Sequence, residues 1–401
     1  MDPITHLMTG ACLARTGLNR KAAYATLAMT LAAEAPDIDK LWGIRGPIAG
    51  FQHHRGITHT FVGVPFEGLV LVGAVWLLHR WRVRRAMTRS APAPAQDPAT
   101  DQRIPRPLTI APVRWGLLYG FAMLGLLSHI LLDWTNNYGV RPFFPFNPRW
   151  YAGSIVFIFE PVLFAALLIG LTAPALFGLI AGEVGAHAPR FRGRGWAIFA
   201  LTCMVALWGG RELEHSTAMQ LASTGDYGAP MQNSDAGTQS APPEILRVFL
   251  SPYPVNPFRW HAVIETRDFY QFATVDALRG TVSTSPEQDI LYKPPTTVAT
   301  LVAKRSWLGE VYLDWSSWPV VTDVGRVRHF PEQPFIPSVS TPPGTTAVTF
   351  RDLRFMYDTA FLSGRRNPPL SGTAYLNQDR RVFCMFMTGR PQGPHCGSDP
   401  E

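Results

Sequence analysis

Residues 114–134 read RWGLLYGFAMLGLLSHILLDW. From Trp115 to Ser128 no side chain carries a charge. An apolar helix of about 20 residues matches the hydrocarbon thickness of a bilayer. The run ends on His129 and Asp133, four apart, so on a helix they share one face. Ionisable groups at a membrane boundary are costly unless they pair or bind an ion, which makes this end a candidate site.

Working outward, Phe61–Trp81 is a second span, with Glu67 its one acidic residue and His79 near its end. Ser154–Ile180 is a longer third, and Gly195–Gly210 a shorter fourth. The stretches Ile4–Leu18 and Ala22–Ala35 read as a helical hairpin that spans or packs against the other helices. Composition agrees: 47% of residues are hydrophobic and 16% charged, against about a quarter charged in soluble proteins. Asp2, in place of a basic start, argues against a cleaved secretory signal.

The net charge of +7 comes mostly from arginine. Arg80 to Arg114 holds eight arginines and two aspartates around Ala91-Pro-Ala-Pro-Ala95, a basic, flexible linker over 82–113. Arg190, Arg192 and Arg194 mark a second basic turn, and Arg15, Arg20 and Lys21 a third. The positive-inside rule makes these turns cytoplasmic. The N-terminus, the 36–60 and 134–153 loops and everything after about 212 then lie on the outer face. The basic residues are not interleaved with aromatics, so nucleic acid is excluded as a partner; the bilayer is the expected one.

After the helical part, 1–212, comes a linker over 213–243, rich in Gly, Ser and Pro from Thr224. Over 244–401, the runs Trp260–Thr266, Phe269–Val275, Glu310–Trp315, Ala347–Phe350 and Arg381–Phe386 are β-branched and aromatic and partly alternate. The expected fold is an α-helical polytopic membrane domain followed by a mainly β extracytoplasmic domain. Cys384 and Cys396 bracket a Gly/Pro-rich turn. Outside the cytoplasm they can bridge; otherwise they are free thiols. Cys12 and Cys203 lie in apolar stretches as packing residues.

The topology gathers chemistry on the outer face. Pro36-Asp37-Ile38-Asp39 sets two carboxylates close together, which repel unless a cation sits between them. In His53-His54-Arg55-Gly56-Ile57-Thr58-His59, Gly56 permits a tight turn that lets the flanking imidazoles approach one centre. Arg55 is a fixed cation suited to a phosphoryl or carboxylate oxygen. His6 begins the hairpin on the same side, Glu160 precedes Pro161 in an apolar run, and Glu34 sits behind the first carboxylates. The expected ligands are His6, Asp37, Asp39, His54, His59, His129 and Asp133, with Arg55, Glu160 and Glu34 as catalytic or supporting groups. Mixed imidazole and carboxylate donors suit zinc first, then manganese or iron, better than calcium. His187, His215, His261, His329 and His395 are scattered and receive no role.

Thr5-His6, Pro36-Asp37-Ile38-Asp39, His54-Arg55-Gly56-Ile57-Thr58-His59, His129 through Gly139, Pro142 through Phe146, Ile158-Phe159-Glu160-Pro161 and Pro254 through Trp260 form an ordered set. In this order the chain resembles a family of membrane-bound, metal-dependent hydrolases of the bacterial inner membrane, distantly similar to zinc-dependent phospholipases C. Two positions depart from the family pattern: Glu160 replaces an aspartate, and Thr60 replaces a serine. The resemblance implies a phosphoester or lipid-like substrate at the bilayer surface. The rival expectation is a metal-stabilised membrane scaffold or transporter without hydrolysis.

Overall fold

The computed structural model describes residues 1–89, 112–183, 193–227, 243–285, 288–331, 339–359, 364–365, 368–393 and 396. The middle of the basic linker, 90–111, the turn with Arg190 and Arg192, and 228–242 of the second linker lie outside the described residues. The chain forms two compact units. The first comprises Met1–Ile38, Arg55–Ala152 and Ile158–Trp208; the second comprises Asp39–His54, Gly153–Phe157 and Gly209–Glu401.

The first unit is helical. Its elements are α1 (Pro3–Arg15), α2 (Ala25–Ala32), α4 (Gly63–Arg89), α5 (Trp115–Thr135), α6 (Pro161–Glu183) and the first half of α7 (Arg194–Ser223). Asp2 caps α1 by accepting from the Thr5 N–H at 3.0 Å, and Pro3 opens its first turn. Small residues let three helices approach closely. A Cβ on Gly10 of α1 would fall 2.4 Å from the Met29 carbonyl oxygen, and one on Gly125 of α5 would fall 2.8 Å from Ala32 Cβ. This seam, completed by Ala25, Ala28 and Ala32, places α2 between α1 and α5. His6 and His129 each stand one turn from a seam glycine, so the seam sets where their rings go.

Among the described residues, Gly63–Thr88 of α4 and Trp115–Thr135 are long and apolar enough to cross a membrane. Leu69, Val70 and Leu77 of α4 and Leu124, Leu127 and Leu131 of α5 are exposed. The expected set of four spans narrows here. The third does not start at Ser154, because residues 154–160 are irregular, Ser154 has a positive φ of 54°, and the helix begins at Pro161. Its apolar stretch is the shorter Pro161–Phe177. The fourth does not stop at Gly210 but continues to Ser223, into the expected linker. Ala218 and Ala222, one turn apart, bury this extension against Leu250 and Trp260.

The second unit is mainly β. Among the described residues, one antiparallel sheet takes the order β1 (Arg247–Pro252), β2 (Arg259–Glu265), β3 (Phe269–Asp276), β4 (Thr281–Ser283), with β5 (Ile290–Tyr292) also on β3. The other runs β10 (Arg390–Gln392), β9 (Val382–Met387), β8 (Gly372–Leu376), β7 (Thr346–Asp352), β6 (Pro319–Arg326). Val263 and Phe272 of the first sheet meet Val320 of the second, with Trp318 and Leu353, in one apolar cluster. Four of the five expected strands are strands. Glu310–Trp315 is instead the end of α9 (Trp307–Trp315), which follows α8 (Val298–Lys304). Ser306 caps α9, and Leu308, Val311, Tyr312 and Trp315 are buried at helical spacing, which outweighs their strand-forming composition. Cys384 and Cys396 form a disulfide, with Cα atoms 5.2 Å apart. The 39–54 segment packs in this unit through α3 (Pro47–His53). The Ile48 N–H donates to Gln392 Oε1 at 2.6 Å, and Trp307 Nε1–H to Gln52 Oε1 at 2.9 Å.

Candidate metal centre

Four side chains of the helical unit converge. Asp37 lies on a 3-10 stretch after α2, its N–H held by the Glu34 carbonyl at 3.1 Å. His59 ends the 3-10 turn Ile57–His59. That turn sits tightly on the start of α4, since a Cβ on Gly63 would fall 2.1 Å from the Ile57 carbonyl oxygen. Thr60 Oγ1 accepts from the Gly63 N–H at 2.9 Å, capping the start of α4. His129 and Asp133 come from the last turns of α5.

One donor atom from each of Asp37, His59, His129 and Asp133 lies within 4.8 Å of all the others, and all four residues are buried. The two Nε2 atoms of His59 and His129 are 3.0 Å apart, and each is 3.5 Å from Asp133 Oδ2. Asp37 Oδ1 is 3.6 Å from His59 Nε2 and 3.9 Å from His129 Nε2. Tetrahedral zinc with bonds of about 2.0–2.2 Å needs ligand atoms roughly 3.3–3.6 Å apart. The donor set therefore fits a small divalent ion with little movement.

The surrounding contacts divide His129 and Asp133 each into a holding atom and an atom turned to the cluster. His129 Nδ1–H donates to the Ala33 carbonyl at 2.7 Å, which turns the bare Nε2 toward the cluster. Asp133 Oδ1 is held by Arg55 Nη2 at 2.8 Å and also meets the Met1 amino group, while Oδ2 faces the two histidines. Arg55 is itself fixed in the left-handed region, at φ 55°. Its Nη1 donates to the Gly139 carbonyl at 2.6 Å and to Asn136 Oδ1 at 3.3 Å, and its guanidinium lies over the Tyr138 ring at 4.6 Å. His6 stacks on His129 with ring centroids 3.8 Å apart. Its Nε2 is 3.3 Å from Asp133 Oδ1, yet among the described residues neither buried ring nitrogen makes a directed hydrogen bond. A buried imidazole in that state has lone-pair capacity to offer a cation.

The structure thus brings together Asp37, His59, His129, Asp133, His6 and Arg55. Asp39 and His54 belong to the second unit and pair with each other, Oδ1 to Nδ1 at 3.1 Å. Glu160 is buried at the start of α6, where Oε1 accepts from the Val162 N–H at 3.4 Å, a capping contact that an aspartate would also make. Arg55 is only 4% exposed and clamps Asp133. Sequence reasoning passed over the Ala33 carbonyl, the glycine seam and the clamp. The visible signal for the last was Asn136-Asn137-Tyr138-Gly139, in which Asn136 Oδ1 accepts from the Tyr138 N–H at 2.9 Å as a turn.

No solved structure matches the chain. An uncharacterized protein of Bacillus subtilis (strain 168), YfhP, is 23% identical over 320 residues, covering 69% of this chain and 86% of its own length. Its name speaks neither of hydrolysis nor of phospholipase C, and that part of the expected resemblance draws no support from the match. Residues 1–216, more than half of the chain, match the family described as YdjM inner membrane protein, and the chain belongs to that family.

Proposed function

We propose that this protein is a metal-dependent hydrolase of the bacterial inner membrane, acting on a phosphoester or lipid-like substrate at the outer face of the bilayer. The observation that carries the reading is the buried Asp37–His59–His129–Asp133 cluster, whose donor spacing fits one divalent ion. Zinc suits two imidazoles and two carboxylates best, with manganese or iron next. Such an ion supplies Lewis acidity, which acidifies water and polarises a phosphoryl oxygen. His59 and His129 would hold it through nitrogen, and Asp37 and Asp133 through oxygen. Arg55 keeps Asp133 in a one-oxygen pose, and His6, beside Oδ1, is placed to exchange a proton there or to add a further ligand. Asp37 is the most exposed of the four, so substrate approaches on its side.

In this reading α4 and α5 cross the membrane, with their outward leucines against lipid, and the other helices of the unit pack beside them. The arginine-rich turns lie in the cytoplasm. The mainly β unit lies in the periplasm, where its disulfide is stable. One observation favours the second reading, a metal-stabilised scaffold: all four ligands come from protein and are buried, as in closed structural sites.

Metal analysis of detergent-purified protein, followed by assays on phosphoester and acyl lipids with and without chelator, separates the two. Turnover that chelation abolishes and zinc restores supports the hydrolase. Full metal occupancy without turnover of any such substrate leaves the scaffold.

A further inference from the structure

A second site lies at the arginine-marked end of the helical unit. α1 closes on Arg15, the turn after it carries Asn19 and Arg20, and α7 opens on Arg194. These four side chains surround a cavity of about 280 Å³ floored by Leu171 and Pro174 of α6. None of its described lining residues is acidic. The local sequence explains the convergence. Gly17, at φ 131°, brings the turn against the Arg194 side chain, where a Cβ would fall 3.6 Å from Nε. Gly193, at φ 105°, presses the start of α7 onto α6, where a Cβ would fall 2.9 Å from Pro174 Cγ. Arg15 Nη1 donates to the Leu171 carbonyl at 3.0 Å, so its guanidinium is positioned at the cavity wall. Guanidinium forks around one hollow are suited to phosphate oxygens.

An apolar groove begins one turn after Arg194 on the same helix. Ile198, Leu201, Thr202, Val205 and Ala206 share one face of α7 and, with Thr16, line a groove of about 470 Å³. At about 1.5 Å per residue, that face extends roughly 6 to 18 Å beyond Arg194 along the helix. A free phosphate would use only the arginines. A ligand with an anionic head and an apolar tail would use both features. Basic pockets between helices at the cytoplasmic boundary are suited to such headgroups.

We propose that the cavity and groove hold one anionic phospholipid, its phosphate among Arg15, Arg20 and Arg194 and an acyl chain along α7. The proposal rests on the membrane placement given above and not on the metal chemistry, so the two fail separately. The experiment is native mass spectrometry of the full chain released from nanodiscs of mixed phosphatidylglycerol and phosphatidylcholine. Metal content and the melting temperature are read on the same samples. Phosphatidylglycerol should be retained preferentially. The double variant Arg20→Gln/Arg194→Gln, at two exposed positions, should lower that retention by roughly tenfold or more, with metal content and melting unchanged. Thr202→Trp, which fills the groove and leaves the arginines intact, should also release the lipid. Equal retention of both lipids, or retention indifferent to the arginine variant, overturns the proposal. Displacement by millimolar inorganic phosphate, with Thr202→Trp without effect, identifies a soluble phosphate instead and also overturns it.

Discussion

Both units bury histidine, in different company. In the helical unit His6, His59 and His129 are fully buried and meet the Asp133 carboxylate at 3.3–3.5 Å. In the β unit His261 is equally buried, but it stacks on Phe272 with centroids 5.6 Å apart and gives its Nε2–H to the Leu353 carbonyl at 3.2 Å. The first arrangement gathers lone pairs and negative charge in one place. The second uses imidazole as a flat, neutral packing element with one donor. Burial alone therefore does not make a site. Carboxylates and imidazoles within reach of one another are what could hold an ion.

The contrast breaks most sharply at Asp133. Asp133→Ala removes one donor and leaves Arg55 buried against a missing partner, a loss of about 3–5 kcal/mol for a broken buried pair. Metal retention should fall to background by elemental analysis, while the protein still inserts into the membrane fraction. Retention of metal at the wild-type level in that variant would sink the site as drawn, in which Asp133 is a required donor.

A smaller effect tests whether the seam, rather than the ligands, sets the geometry. Gly125→Ala puts a Cβ 2.8 Å from Ala32 Cβ, so α2 and α5 must separate by some tenths of an ångström. Overpacking of that kind costs about 1–3 kcal/mol. His129 sits one turn on, and its Nδ1 hydrogen bond to Ala33 belongs to the same contact. The variant should bind zinc more weakly than wild type without losing any donor, as read by chelator competition. Unchanged zinc affinity together with a lowered melting temperature would show that the seam stabilises the helices but does not aim the imidazole.

How much of this was legible follows from what each signal needed. His129 and Asp133 were legible because helical spacing alone puts them on one face. Asp37 and His59 were legible as chemistry, yet their meeting depended on tertiary packing. Asp39 and His54 were legible as chemistry in the same way, and they meet each other at 3.1 Å; that the chain between them packs with the β unit left no trace in their spacing. Gly10 and Gly125 were passed over because a glycine within an apolar helix reads as neutral until its neighbour is known. Glu310–Trp315 was misread because composition was weighed above the period of Leu308, Val311, Tyr312 and Trp315. The Ser154–Glu160 stretch is as apolar as a helix; only Gly153 before it and Pro161 after it signalled that the helix starts later.

The smallest effect belongs to the packing histidine and sharpens the comparison from its other side. Burial pushes the His261 pKa down to about 3, opposed in part by its bond to Leu353. In the unfolded chain the same group titrates near 6.5. Above that pH neither state binds the proton, and the folded state carries its full stability. Between about 6.5 and 3 the unfolded chain takes a proton that the folded one refuses, so stability falls as pH falls, by about 1.4 kcal/mol per pH unit. His261→Gln keeps a donor for Leu353 and cannot be protonated. Between pH 6 and pH 5 the melting transition of the β unit should therefore drop less in this variant than in wild type, and zinc content should stay equal in the two. Parallel pH dependence in both proteins would mean that His261 is not the group that titrates. A change in zinc content would mean that the two kinds of buried histidine are not independent.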